Sequence, residues 1–308
     1  MASITDNKES RGHTAVLVQE VVDYLITKPG GMYLDVTFGA GGHTQAILEK
    51  DKTCRVIALD WDMRTLDTYG PPLKELYGER LCLLWGNFAQ LYAIVKKEHI
   101  PKMHGILADF GTSQMQLFER AGFSFSIDTP LDMRMSPAHQ LVTAAQVVNS
   151  SSEEKLKQIF WQLGQERFSG LIARAIVQRR QEKKFSMTND LAKVVASAIP
   201  IKGNKRLHPA TKVFQALRIY VNHELENIRS FLAEATRLLL PGGRLVCISF
   251  HSLEDGLVKD FYKNRELEGI GHIITKKVIV PSQKEVDQNP SSRSAKMRVF
   301  EFSNFNNQ

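Results

Sequence analysis

Tyr33-Leu34-Asp35-Val36-Thr37-Phe38-Gly39-Ala40-Gly41-Gly42-His43 places a glycine-rich turn between a short apolar run and the start of an amphipathic stretch. Glycine has no Cβ, so a chain can turn sharply there and approach a ligand closely. The residues ahead of the turn, Met32 to Thr37, predict a strand, and Thr44 to Glu49 behind it predict a helix. A second apolar, β-branched run, Arg55 to Asp60, ends in an acid nineteen residues beyond Gly41. In doubly wound α/β folds an acid at that position accepts hydrogen bonds from ribose hydroxyls. Turn and acid together point to a cofactor that contains a nucleoside.

Which nucleoside follows from what is missing. The dinucleotide fingerprint needs glycine at position 44, where Thr44 stands. Asp35, just before the turn, would repel a pyrophosphate. S-adenosylmethionine instead brings an ammonium and a sulfonium, both cationic, and favours nearby acids. A nicotinamide cofactor is the weaker reading.

Outward from the turn, Val16 to Leu25 has helical periodicity and is cut off by Pro29-Gly30-Gly31. Leu81 to Trp85 and Gly105 to Asp109 predict further strands, with a helix from about Phe88 to Glu98 between them. This alternation is that of a parallel sheet covered on both faces. Asp109 ends the fourth strand, and the carboxyl ends of parallel strands open onto the ligand crevice. Phe88 is a candidate to lie against an adenine ring, and equally a core aromatic.

Between about Gln114 and Lys212 the rhythm becomes helical. Ser151 with Glu154 predicts a capping box ahead of Leu156, Ile159, Phe160 and Leu163. Ala173 to Lys183 continues in the same style, and a helix starting at Thr188 is closed by Pro200. Phe214, Leu217, Val221, Leu225, Ile228 and Leu232 then mark one apolar helix face. Pro241-Gly242-Gly243 predicts its end, Arg244 to Phe250 a buried strand, and Pro281 to Ser294 a loop. The expected architecture is α/β: a sheet domain in two parts, residues 1–113 and 213–308, with a helical, RNA-binding insertion at 114–212.

Formal charge is +7, and its distribution is uneven. From Arg167 to Arg218 there are twelve Lys and Arg against Glu182 and Asp190. Such a segment fits a polyanion, although solvated helix faces are often basic too. Arg174, Arg179, Arg180, Lys205 and Arg206 are the best candidates to hold phosphates. Cys54, Cys82 and Cys247 lie in or beside apolar runs without metal-ligand spacing, and are expected as buried small hydrophobes in a reducing compartment. No apolar run approaches the roughly 18 residues of a membrane span, and the N-terminus lacks a signal core. A cytoplasmic protein with no metal and no membrane partner is expected.

Taken with the turn, several longer strings give the chain a resemblance to the ribosomal RNA small-subunit methyltransferase H family. These are His13-Thr14-Ala15-Val16-Leu17 with Glu20, Gly41-Gly42-His43, Arg120-Ala121-Gly122-Phe123-Ser124-Phe125, Pro130-Leu131-Asp132-Met133-Arg134-Met135 and Glu166-Arg167-Phe168. His208-Pro209-Ala210-Thr211, Phe214-Gln215-Ala216-Leu217-Arg218, Ile248-Ser249-Phe250-His251-Ser252-Leu253-Glu254-Asp255 and Arg293-Ser294-Ala295-Lys296 with Arg298 complete the set. The resemblance runs over residues 11–302. It implies a Rossmann-like class I methyltransferase core with a helical insertion, S-adenosylmethionine as cofactor, and methyl transfer to N4 of a cytosine in the decoding region of 16S ribosomal RNA. The implied partner is that RNA or the small ribosomal subunit, and a homodimer stays open. Carried over by position, cofactor contacts fall on Gly41, Gly42, His43, Asp60, Phe88, Asp109 and Gln116. Departures from the family pattern are Trp61, Met63, His104, Gln114-Met115, Gly256-Leu257 and Ser291-Ser292.

The chemical difficulty in that reaction is the N4 lone pair, which is delocalised into the ring. Asp109 is the expected acceptor beside the amine, with Ser249 and His251 as further catalytic candidates. The Asn/Asp-Pro-Pro-Tyr motif of many amino-methylating enzymes is missing. Methylation of DNA or protein, or a non-catalytic RNA-binding assembly factor with the same fold, are the alternatives. The intact glycine turn, Asp60 and Asp109 speak against the last.

Overall fold

The computed structural model describes residues 15–111, 121–200 and 208–303. His13, Thr14, Gln114, Met115, Gln116, Arg120, Lys202, Lys205 and Arg206 lie outside them. The chain divides into two compact units, Met1–Ser113 with Phe231–Gln308, and Gln114–Ser230.

In the first unit the chain runs α1 (Val18–Leu25), β1 (Met32–Asp35), α2 (Gly42–Lys50), β2 (Arg55–Asp60), α3 (Met63–Tyr77), β3 (Leu81–Trp85), α4 (Leu91–Lys97) and β4 (Met103–Asp109). After the second unit come β5 (Leu239–Ser249), α11 (Ser252–Leu267), β6 (Gly271–Ile273), α12 (Gln283–Gln288) and β7 (Lys296–Phe302). The strands form one sheet in the order β3-β2-β1-β4-β5-β7-β6. Pairing is parallel from β3 to β5, and β7 is antiparallel to both of its neighbours. Strand order reverses at β1, which lies between β2 and β4. That reversal opens a crevice outside the carboxyl ends of the strands. The fold is α/β and Rossmann-like. It departs from the dinucleotide-binding order 3-2-1-4-5-6 through the antiparallel β7 beside β5.

The core shows why these runs are strands. Leu34, Val56, Ala58, Leu107, Val246 and Ile248 are all nearly or fully buried, as expected for central strands covered on both faces. Cys82 corrects the sequence reading. It is exposed, whereas Cys54 and Cys247 are buried. β3 is a sheet edge and its outer positions are only partly covered. Burial raises the Cys247 thiol to about 12.

The second unit is helical: α5 (Ala144–Ser150), α6 (Glu153–Gln162), α7 (Ser169–Glu182), α8 (Thr188–Ala198), α9 (Thr211–Asn222) and the first turns of α10 (Glu224–Leu238). Its own core joins Leu156, Ile159, Phe160, Ile172, Ile176 and Leu217. Ser152, not Ser151, caps α6 by accepting from the Lys155 N–H. Ser151 is instead the C-cap of α5. Residues 214–232 do not form one helix either. His223, at φ 53°, separates α9 from α10, although all six apolar positions are buried.

Two further expectations are corrected. Pro241-Gly242-Gly243 does not precede β5 but lies inside it, where the register against β4 shifts between Met103 and Gly105. Pro281 to Ser294 is not a loop. Ser282 caps α12 and a 3-10 turn follows at Pro290–Ser294.

Candidate cofactor and catalytic site

At the carboxyl edge of the sheet the glycine turn is stitched to both neighbouring strands. The Val36 N–H donates to Leu107 of β4, and the Phe38 N–H to Leu59 of β2. Thr37 Oγ1 accepts from the Asp109 N–H at 2.7 Å, and Gly39 N–H donates to Asp60 Oδ2 at 2.9 Å. Each contact draws one strand end toward the turn. Gly41 caps α2 at φ 80°, and a Cβ there would run into Leu73 and Phe38. Gly42 sits so close to Ala15 that a Cβ would come within 2.8 Å of the alanine methyl. The fold itself therefore requires both glycines, and what they offer a ligand is backbone.

Three carboxylates converge here and differ in what holds them. Asp35 is fully buried; its Oδ1 accepts from the Thr37 N–H and its Oδ2 from Thr44 Oγ1. It locks the turn to α2, and burial raises its pKa. Asp60 is half-buried. Its two oxygens accept from the N–H groups of Gly39 and Asp62, and burial pushes its pKa up to about 6. A carboxylate has about four acceptor positions, so both oxygens can still accept from a diol.

Asp109 is the third. Its Oδ2 lies 3.6 Å from Nε2 of His43, which is 5% exposed in the first turn of α2. Asp109 Oδ1 and both ring nitrogens of His43 are buried without a hydrogen-bond partner among the described residues. Buried polar atoms left this way carry a desolvation penalty of about 1–3 kcal/mol each. A cationic ligand with N–H donors would remove much of it. The donor set fits an amino-acid ammonium at Asp109 and a ribose diol at Asp60, the two polar ends of S-adenosylmethionine.

Phe88 follows β3 and packs edge-on to Phe231, with centroids 5.6 Å apart, and at a tilt to Phe110 at 6.1 Å. Phe88 is the half-buried member of this aromatic cluster, whose other two rings are buried. Ser249 is buried at the end of β5, next to Ile248, which pairs with Asp109. His251 begins α11. Its Nδ1 accepts from the Glu254 N–H, while Glu254 Oε2 takes the Phe250 and His251 N–H groups. This reciprocal capping box occupies one ring nitrogen in building the helix. Gly41, Gly42, His43, Asp60, Phe88, Asp109, Ser249 and His251 thus lie together at the ends of five neighbouring strands. Gln116 lies outside the described residues.

Sequence reading missed Thr37 and Thr44, which decide how Asp35 and Asp109 are held. A hydroxyl two residues after Asp35 was the available signal. One departure from the family pattern proves to have a local structural partner: His104 Nδ1 accepts from the Met32 N–H.

In the second unit, the cations singled out for phosphate binding are unequal. Arg180 Nη1 donates to the carbonyls of Val148 and Ser151 and so caps α5. Arg179 donates to the Lys183 carbonyl, and Arg174 lies 3.6 Å from Glu153. The Pro130–Met135 string is structural as well. Asp132 holds Arg134 through two hydrogen bonds, and buried Asn222 bonds the Met133 carbonyl and the Met135 N–H.

Comparison with known proteins identifies the family. The model of the MraW methylase family matches residues 10–303. A protein named ribosomal RNA small subunit methyltransferase H in Carboxydothermus hydrogenoformans is 41% identical, over 94% of this chain and 97% of its own. The protein of that name from a Cyanothece species is 45% identical, covering 93% of each. Among solved structures, an rRNA methylase from Streptococcus thermophilus covers 93% of this chain and 94% of its own at 9% identity and TM-score 0.41, too remote to carry weight. The matched length and the level of identity settle membership: this chain belongs to the MraW methylase family and is a methyltransferase.

Proposed function

We propose that this enzyme transfers a methyl group from S-adenosylmethionine to N4 of a cytosine in 16S ribosomal RNA of the small subunit, in the cytoplasm. The observation that carries the reading is the buried, unpartnered set of the His43 ring nitrogens in α2 and Asp109 Oδ1 at the end of β4, two strands from Asp60 across β1. Relatives named for small-subunit RNA supply the substrate class. Among the described residues no helix is long and apolar enough to cross a membrane.

When bound, S-adenosylmethionine supplies an electrophilic methyl on a sulfonium. The residues of the chain bind and orient. Asp60 accepts from the ribose hydroxyls, and the backbone of Gly41 and Gly42 lets the ligand come close to the turn. Asp109 accepts from N–H groups and stabilises positive charge near the strand end. Ser249 and His251 flank the target base at the end of β5. Holding an amine in line with its reaction partner contributes on the order of 7–11 kcal/mol, so no covalent enzyme intermediate is needed. The base must be unpaired or leave its stack to reach the strand ends.

The test is methyl transfer from labelled cofactor to small-subunit RNA, free and within the subunit, followed by nucleoside digestion. Label in N4-methylcytidine is expected. Label in another nucleoside, in DNA or in protein would overturn the assignment, and no transfer to any pool would favour a non-catalytic assembly factor.

A further inference from the structure

Within the first unit, a cleft of about 240 Å³ lies between α11 and the β6–β7 edge of the sheet. Tyr262 and Ile273 give it an apolar floor, and Lys259, Lys263 and Lys276 stand exposed around it. Lys259 and Lys263 are one helical turn apart, so their ammonium groups lie on one face of α11.

The neighbouring charges are already committed. Arg298 also lines the cleft, but Asp255 holds it through hydrogen bonds of 2.6 and 3.2 Å. Lys296 lies 3.5 Å from the same carboxylate. Glu266 is the single acid in the lining, and its Oε1 accepts from the Ile273 N–H. The three lysines have no ion-pair partner among the described residues, which leaves the rim with uncompensated positive charge.

The size argues for part of a long ligand. Complete small-molecule sites usually enclose about 300–1,000 Å³. This cleft is smaller, open and rimmed by point charges, which suits one stretch of a phosphodiester backbone. Its position fits the same polymer that enters the strand ends. β6 is three strands from β4, roughly 14 Å across the sheet at about 4.8 Å per strand. β6 runs parallel to β5, so Lys276 follows it toward the edge where Asp109 and Ser249 lie.

We propose that Lys259, Lys263 and Lys276 form a phosphate-binding exosite for single-stranded RNA flanking the target base. This rests on RNA being the substrate. The test compares the full chain with a Lys259→Ala, Lys263→Ala, Lys276→Ala variant, and with a charge-matched control, Lys52→Ala, Lys96→Ala, Lys97→Ala. Binding of a single-stranded RNA oligonucleotide is measured by anisotropy across a salt series, and cofactor binding by calorimetry. Each lost phosphate contact lowers the salt slope by about 0.7, so the cleft variant is expected to lose about 2 from the slope. At 0.1 M salt that corresponds to roughly a hundredfold in affinity, with cofactor binding unchanged and the control close to wild type. Equal slopes for the cleft variant and wild type would overturn the exosite while leaving the methyltransferase reading intact. Equal losses in both variants would reduce the effect to net charge and overturn it too. Absence of RNA binding by the wild-type chain, or of methyl transfer to RNA, would instead remove the substrate reading itself.

Discussion

The two units differ in how completely they satisfy their buried polar groups. In the helical unit buried Asn222 is satisfied by the backbone at Met133 and Met135, and half-buried Asp132 and Asn149 by Arg134 and the backbone of Phe185. Among the described residues, the buried side-chain atoms without a partner all belong to the sheet unit, with His43 and Asp109 at the strand ends. An unsatisfied buried donor or acceptor is destabilising, so a fold that keeps some open carries a penalty that a ligand can relieve. The helical unit's polar interior builds the unit; the sheet unit's polar rim is left available for chemistry.

The largest effect should come from closing that open valence. Asp109→Ala is expected to lower methyl transfer by about 10²–10³, the usual loss when one charge-stabilising group is removed. Asp109→Asn, which keeps an oxygen but not the charge, should fall between the two. Single-turnover assays alongside thermal melts would check this. Full activity with normal cofactor binding would show that Asp109 belongs with the structural carboxylates, like Asp35.

The converse experiment sits in the helical unit. Asn222→Ala removes hydrogen bonds to the Met133 carbonyl and the Met135 N–H, each 2.8 Å long, from a fully buried position. Two groups left unsatisfied predict a loss of about 3 kcal/mol. Melting should fall while cofactor affinity, read by calorimetry, stays unchanged. A variant that melts normally would break the contrast between the units.

What the sequence disclosed follows the same division. β2 and β3 were legible to the residue, because each is a short apolar run bounded by turn residues, with Val56 and Ile57 adding β-branching in β2. α3 was not. Pro71 and Pro72 lie inside it, and the helix is kept by packing, with Leu66 and Tyr77 buried and Gly70 close against Leu83. The antiparallel end of the sheet was hidden because the alternation of Lys296 and Arg298 with buried Met297 and Val299 breaks at Phe300 and Glu301, and the three residues of β6 are too few to show a period. Asp60 and Asp109 could be named from their places at strand ends. Their difference from Asp35 could not, since it depends on where Thr37 and Thr44 point in three dimensions. His251 as a helix cap was equally out of reach, because Ser, Thr, Asp and Asn usually fill that role.

The smallest expected effect concerns Asp60, which belongs to the open rim but already accepts two backbone N–H groups. With its pKa pushed to about 6 by burial, the carboxylate is mostly ionised at pH 7 and mostly protonated at pH 5. A protonated oxygen loses acceptor capacity for a diol. Cofactor affinity should therefore weaken about tenfold from pH 7 to pH 5, following the fraction ionised. The ligand-free fold should respond with the opposite sign. Its pKa lies above the ordinary value, so the native state binds this proton more tightly than the unfolded chain does. This group's contribution to stability is fullest below about pH 4 and is lost as pH rises through about 6. Asp60→Asn should flatten both profiles. Calorimetric titrations and melts across that pH range separate the outcomes: an affinity that stays level in the wild type, or a slope that persists in the variant, would move the titrating group elsewhere and place Asp60 with the closed, structural carboxylates.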